Sequence, residues 1–353
     1  MNMFIILALT FTCLYVLRKI VLGIRDKRRV NRRKRSRKAI ELLLNKLLEK
    51  GVLIDRNKKD NRESWCQYRV PYIGYLGSDT PEKVIVLQSG LHGLEYFSIE
   101  TLLRYVHQLD VKNLEKRNIQ VIVIPIVNYW GFQNYKRTNE NGVDLARNYR
   151  VYTHNALEEV TSYPLVRGYK MWFVPWLLTK IMRKTWYYMG RELQLELYEL
   201  RDIYAEILNT YSNVHFYDFH TGNNSMATTM WRHEFDTRRG IPKKFRSIFR
   251  KQMMDAPGIQ LGPIDYVTYG GLYEGLSQEF KNAHPHLNAF TVEMAVLAKP
   301  GNWHYRYEYF FGSVFEPKIS NRVSQLQQEL KHMSLIINAE INAESDSDEL
   351  DAA

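Results

Sequence analysis

Apolar residues recur along this chain in two spacings, continuous or alternating runs and helical repeats. Residues 84–87 (VIVL) are apolar, mostly β-branched, and give way to Ser89 and Gly90, which predicts a buried strand. Residues 119–127 (IQVIVIPIV) predict a second, and 213–220 (NVHFYDFH), alternating between faces, a third. Residues 289–296 (AFTVEMAV) are apolar and β-rich, broken only by Glu293. Helical spacing marks 39–50, stopped by Gly51, and 95–109, with Phe97, Leu102, Leu103 and Val106 among its apolar positions. It recurs at 191–211, in a basic stretch at 243–254 and in a final segment at 316–340. Residues 52–80 carry shorter alternating segments such as YRVPYIGYL, read as strands leading into 84–87. Strand, helix and strand in this order predict an α/β sheet.

The N-terminus departs from that pattern. Residues 3–17 contain no charge, and with IVLGI following Arg18 and Lys19 a span of roughly 3–24 is long enough for a membrane anchor. A cleaved signal peptide is the rival, but such peptides carry their positive charge ahead of the apolar run, and here it follows. The formal net charge is +11, and residues 1–38 hold 12 of the 49 bases and a single acid, so the remainder is neutral. A neutral domain lacks the footprint of a phosphate-binding surface, which argues against nucleic acid as a partner. The basic block suits anionic headgroups, with a nuclear localisation signal or a solvated linker as alternatives. The expectation is a single-pass membrane protein whose domain faces the cytoplasm, held to the lipid membrane by this helix and basic cluster. The two cysteines, Cys13 and Cys66, build no disulfide framework and fit a reducing compartment. The expected layout is an anchor at 1–24, a basic juxtamembrane segment and connecting helix at 25–50, a domain at 51–340 and an acidic disordered tail at 341–353.

Candidate chemistry gathers at strand ends. After the strand at 84–87 comes SGLHGLE, placing His92 and Glu95 three residues apart where an open α/β sheet presents its ligands. Alone, that pair reads better as an ordinary strand-to-helix loop, since the motif is short and common. His220 ends another strand, with Asp218 two residues earlier on the same face, where it can steady a ligand. Glu293 is a carboxylate inside an apolar strand, costly there unless paired or used. The loop at 128–149 is rich in carboxamides and carries Arg137 and Arg147, which suggests anion recognition. Residues 165–190 mix Trp and Tyr with Lys and Arg and read as a lid, a packed insertion or a membrane contact.

Two imidazoles and one carboxylate are a set that catalytic zinc commonly uses. With SGLHGLE, NYWGF, RTNENGVDLARNY, DFHTG and TVEM in this order, the sequence resembles the zinc carboxypeptidase superfamily, and within it a branch known mainly as a domain of unknown function. The resemblance covers roughly 64–335, apart from the aromatic insertion. It implies a single mixed-sheet domain with helices on both faces. It further implies that His92, Glu95 and His220 bind zinc, that Glu293 is the general base, and that Arg137 stabilises the oxyanion. Arg147 and Asn148 would contact substrate, with Tyr273 as the candidate capping tyrosine. One departure stands out: the family has Asn before the substrate arginine, where this chain has Ala146. The function implied is a membrane-anchored zinc peptidase of carboxypeptidase type, acting on a peptide. An N-acyl amino acid amidohydrolase of the aspartoacylase or succinylglutamate desuccinylase kind is the alternative. A non-enzymatic binding protein on the same fold is the third reading.

Overall fold

The computed structural model describes residues 31, 33–63, 67–149, 192–223, 228–232, 259–261, 272–280, 283–284, 288–295 and 322–342. Helix α1 (33–49) leads into β1 (Ile54–Asp55), α2 (Arg56–Lys59), β2 (Tyr72–Gly77), β3 (Lys83–Ser89), α3 (Tyr96–Gln108) and α4 (Val111–Lys116). Then come β4 (Ile119–Ile124), α5 (Tyr129–Asn134), a 3-10 turn at Leu145–Arg147, α6 (Leu195–Thr210), β5 (Val214–Asn223) and β6 (Thr228–Arg232). The last elements are β7 (Ile259–Leu261), α7 (Leu272–Glu279), β8 (Asn288–Ala295) and α8 (Arg322–Asn342). The apolar run at 3–17, the aromatic stretch at 165–190, the basic helix at 243–254 and the tail beyond 342 lie outside the described residues.

The strands form one mixed sheet of eight, ordered β1-β2-β4-β3-β5-β8-β6-β7. Strands β4, β3, β5 and β8 run parallel at its centre, and antiparallel pairs flank them at β2–β4 and β8–β6. A parallel centre is covered on both faces, which is why VIVL (84–87) and VIVI (121–124) read as unbroken apolar runs. Alternation divides them between two cores. Ile85, Leu87, Val121, Val123, Tyr217 and Phe219 face α1, α3 and α8 through Ile40, Leu44, Leu102, Leu103, Ile336 and Ile337. Val84, Val86, Ile122, Ile124 and Phe216 face α6 and α7 through Leu197, Leu200, Tyr204, Leu272 and Leu276. Each such side chain contributes about 1.5–3 kcal/mol on burial.

Helix α8 is fastened by a buried carboxylate. Glu340 accepts from the Tyr217 hydroxyl at 2.6 Å and lies 3.3 Å from Lys83 Nζ, so one side chain ties the helix to β5 and β3.

The expected single-pass, cytoplasm-facing membrane protein is corrected here. No helix among the described residues is long and apolar enough to cross a membrane. In the later half of the basic block, Arg33 and Arg37 bond the chain at the end of α5, while Lys34, Arg35 and Lys38 are exposed. Residues 33–38 continue into the predicted connecting helix as one element, α1. That helix buries Ser36, Ile40, Leu44 and Leu47, and Arg37 bonds the protein itself.

Candidate metal centre

The site stands at the carboxyl ends of β3, β5 and β8, where the strands stop and the crossing segments diverge. Strand β3 ends at Ser89, whose hydroxyl donates to Pro125 O at 2.6 Å. Gly90 then takes a left-handed φ of +67°, turning the chain back over the sheet. Gly93 presses against the start of α5, where a Cβ would come within 2.2 Å of the Gly131 and Phe132 backbone. That close approach holds the His92 loop down on its neighbours. Glu95 occupies the N-cap of α3 yet makes no capping bond, because its carboxylate is turned into the site.

His92, Glu95 and His220 are all buried and present ligand atoms within 4.8 Å of one another. His92 Nδ1 is 2.7 Å from Glu95 Oε1, and His220 Nδ1 is 3.1 Å from Glu95 Oε2. The two Nδ1 atoms face each other at 3.2 Å. Each ring is backed on its far side by a carboxylate: His92 Nε2 by Asp144 Oδ1 at 3.1 Å, His220 Nε2 by Asp218 Oδ2 at 2.8 Å. Such pairing fixes the tautomer that leaves Nδ1 as a lone-pair donor, as metal-binding histidines require. The Thr221 N–H donates to Glu95 Oε2 at 3.0 Å, and Ser98 N–H donates to the Thr221 hydroxyl at 2.9 Å. The carboxylate is thereby aimed from β5 as well as α3.

The electrostatics also fit a cation. Burial pushes the Glu95 pKa up, but His92 and His220 outweigh it and hold the carboxyl well below its usual range. Burial pushes His220 down, and Asp218 with Glu95 reverses that, drawing positive charge onto the ring. A divalent cation between the Nδ1 atoms would supply that charge directly. Two imidazoles and a carboxylate, each anchored from behind, are the donor set of catalytic zinc.

Glu293 lies beside this cluster, in register with His220 across β5 and β8. Its Oε2 is buried without a hydrogen-bond partner. Burial raises its pKa and the charge of Glu95 adds to this, against the opposing pull of His220, His92 and Arg137. Arg137 reaches in from the loop after α5, donating from Nη1 to Glu95 Oε1 at 3.4 Å and from Nε to Asp144 Oδ2 at 3.2 Å.

The fold has relatives among solved structures. In a carboxypeptidase A from Helicoverpa armigera the same fold covers 86% of this chain and 72% of that one, with a TM-score of 0.53 at 16% identity. In bovine thrombin-activatable fibrinolysis inhibitor, solved in complex with tick carboxypeptidase inhibitor, it covers 85% and 93%, with a TM-score of 0.50 at 12% identity. The chain has the zinc carboxypeptidase fold. Residues 72–170, which include His92, Glu95, Arg137 and Arg147, match the family model described as "Protein of unknown function (DUF2817)". No curated protein matches the chain.

Within this carboxypeptidase fold, the residues expected to contact substrate divide. Arg147 is half-buried at the end of the 3-10 turn, donates to Ala146 O at 3.1 Å, and adds to the positive field around Asp144. Ala146 itself is packed into the second core. Asn148 uses both ends of its carboxamide on the chain ahead of α6, donating to Glu192 O and accepting from Gln194 N–H, each at 2.8 Å. Asn139 does similar work, donating to Gln194 Oε1 and Glu196 Oε2 and accepting from Val143 N–H. The carboxamides of the 128–149 loop thus largely hold the loop itself. Tyr273 is packed in the second core against Tyr204 and Phe216, with ring centroids 6.4 and 5.9 Å away.

Sequence reasoning missed Asp144 and Thr221. Asp144 caps the 3-10 turn by accepting from Ala146 N–H, a role any loop Asp can fill, so only its approach to His92 distinguishes it. Thr221 was visible merely as the residue after a candidate ligand.

Proposed function

We propose that this chain is a zinc-dependent hydrolase that cleaves a peptide or amide bond, with a substrate of carboxypeptidase type. The observation that carries the reading is the convergence of His92 Nδ1, His220 Nδ1 and the Glu95 carboxylate on one buried point, each imidazole braced by its own carboxylate. Two braced imidazoles beside Glu293 Oε2, a buried carboxylate oxygen without a hydrogen-bond partner, favour a catalytic site over a scaffold.

His92, Glu95 and His220 would hold the zinc, which when bound supplies Lewis acidity and lowers the pKa of water to about 7. The remaining work belongs to the chain's own side chains. Glu293 Oε2, without a competing hydrogen bond, takes a proton from the attacking water and returns it to the leaving nitrogen. Its raised pKa suits it to both steps. Arg137 offers its guanidinium to the oxyanion that develops on the scissile carbonyl. Arg147, partly exposed beside it, supplies the positive charge for an acidic group on the substrate. Ala146 contributes no second polar group there, so recognition of a terminal carboxylate rests on Arg147.

The test combines metal analysis of the purified full chain with a substrate panel. About one zinc per chain is expected, lost in His92→Ala and His220→Ala. Peptides with free and amidated C-termini and N-acyl amino acids form the panel, and hydrolysis of the peptides is expected. Turnover confined to N-acyl amino acids would move the assignment to an amidohydrolase. A wild-type chain that takes up no zinc from a zinc-replete buffer would end the enzymatic reading.

A further inference from the structure

Helix α1 contacts the site's surroundings through the far end of α5. A helix leaves its last carbonyls without partners of its own. In α5 the left-handed Tyr135, at φ +58°, closes the helix, its N–H and that of Lys136 both turning back to Gly131 O. Three further carbonyls at this end are met from outside. Tyr96, the residue after Glu95, donates its hydroxyl to Phe132 O at 2.7 Å. Arg37 Nη1 donates to Gln133 O at 2.8 Å, and Arg33 Nη1 to Tyr135 O at 3.5 Å.

Arg37 is itself fixed. Its Nε donates to Glu41 at 2.6 Å, one turn along α1, and its guanidinium lies 5.9 and 5.8 Å from the ring centroids of Phe132 and Tyr135. Two cations at a helix C-terminus also meet the negative end of its dipole. Two residues beyond Tyr135 stands Arg137. Its backbone is held by Asn128, which donates to Arg137 O at 3.1 Å, and its side chain spans Glu95 and Asp144. A non-glycine residue in the left-handed region has little intrinsic reason to stay there. The bonds from α1 add to those from Gly131, Tyr96 and Asn128 in holding the turn that leads to Arg137.

We propose that Arg37, assisted by Arg33, is a positioning residue for Arg137: the N-terminal basic helix clamps the exit of α5 and so sets where the Arg137 guanidinium can reach. This rests on the reading of Arg137 as the oxyanion group. Neither arginine belongs to the metal cluster. Both lie on the part of the chain whose charge, read from sequence, has no connection with the catalytic residues. The core face of α1 (Ser36, Ile40, Leu44 and Leu47) is separate from these arginines, so their replacement leaves the helix packed.

The experiment uses the full chain as wild type, R37A, R37K and R33A/R37A. Zinc content and melting temperature establish that each variant is folded and loaded. Amide exchange by mass spectrometry over residues 133–139 then reads the clamp, with 40–47 and 84–89 as internal controls. Exchange over 133–139 should quicken by about 10-fold or more in R33A/R37A, with the controls unmoved. With a substrate from the panel, kcat should fall roughly 10- to 100-fold while KM changes little, since a misplaced catalytic group costs rate more than binding. R37K, which keeps a donor and the charge, should recover part of both. Unchanged exchange over 133–139, or quickened exchange with an unchanged kcat, overturns the proposal. If wild type turns over nothing, the hydrolase reading fails by itself, and the exchange data still decide whether α1 holds this segment.

Discussion

Asp144 Oδ1 stands 3.1 Å from His92 Nε2, although the two residues are 52 positions apart and belong to different loops. The same carboxylate receives Arg137 through Oδ2, so one buried aspartate orients both an imidazole of the candidate metal cluster and the arginine beside it. Burial pushes its pKa up, but Arg137 and His92 reverse this and keep it ionised.

Asp144→Asn should therefore weaken zinc binding without unfolding the protein. Loss of an outer carboxylate of this kind costs about 10- to 100-fold in affinity. Chelator-competition titration reads it directly. An unchanged zinc Kd would assign Asp144 to the loop alone, where it accepts from Ala146 N–H.

Glu293→Gln should keep the zinc and the melting temperature while losing turnover by about 10²–10⁴-fold. The amide fills the same volume but cannot accept and return a proton. Wild-type kcat in this variant, on whatever substrate the panel supplies, would remove Glu293 from the mechanism.

Gly93→Ala should destabilise the fold. The added methyl would meet the Gly131 and Phe132 backbone at 2.2 Å, and backbone cannot rotate aside as a side chain can. A loss of about 1–3 kcal/mol or more is expected in urea titration, with zinc affinity falling as the His92 loop lifts. A variant as stable as wild type would mean that the loop and α5 are further apart than described.

Glu340 should make the fold acid-labile. Burial favours its neutral form, but His215, Lys83 and Tyr217 prevail and lower its pKa from 4.5 to about 2. A depressed carboxyl stabilises the fold above its unfolded pKa and ceases to as pH falls through its folded one. The contribution, on the order of 3 kcal/mol, should be complete above about pH 5 and disappear toward pH 2. Glu340→Gln should be less stable than wild type at neutral pH, with the gap closing on acidification. Parallel stability curves for the two proteins would show that Glu340 is not the group responsible.

The chain's own pattern determined the strands, the helices between them and the residues able to hold a metal. VIVL (84–87) and VIVI (121–124) are apolar without interruption because a strand covered on both faces has no water to meet, so burial is written directly into sequence. Glu293 was legible because it breaks an apolar run and His220 because it ends a strand, while His92 and Glu95, in the loop after β3, gained meaning only beside them and through the family resemblance. Only the tertiary structure decided what lies behind them. Asp144 against His92, Thr221 against Glu95, and Arg37 against Gln133 are contacts between segments 52 to 126 residues apart, with no local spacing to announce them. The same holds for residues whose chemistry pointed elsewhere. Asn148 has the side chain of a substrate ligand, but both its ends are used on the chain before α6, and Tyr273 is packed among aromatic rings of the second core. Arg33 and Arg37 of α1 face the end of α5, a partner that charge in sequence does not name. Composition and periodicity report whether a residue seeks water. Which partner it meets depends on how distant strands are registered, and that is fixed only when the whole sheet closes around its two cores.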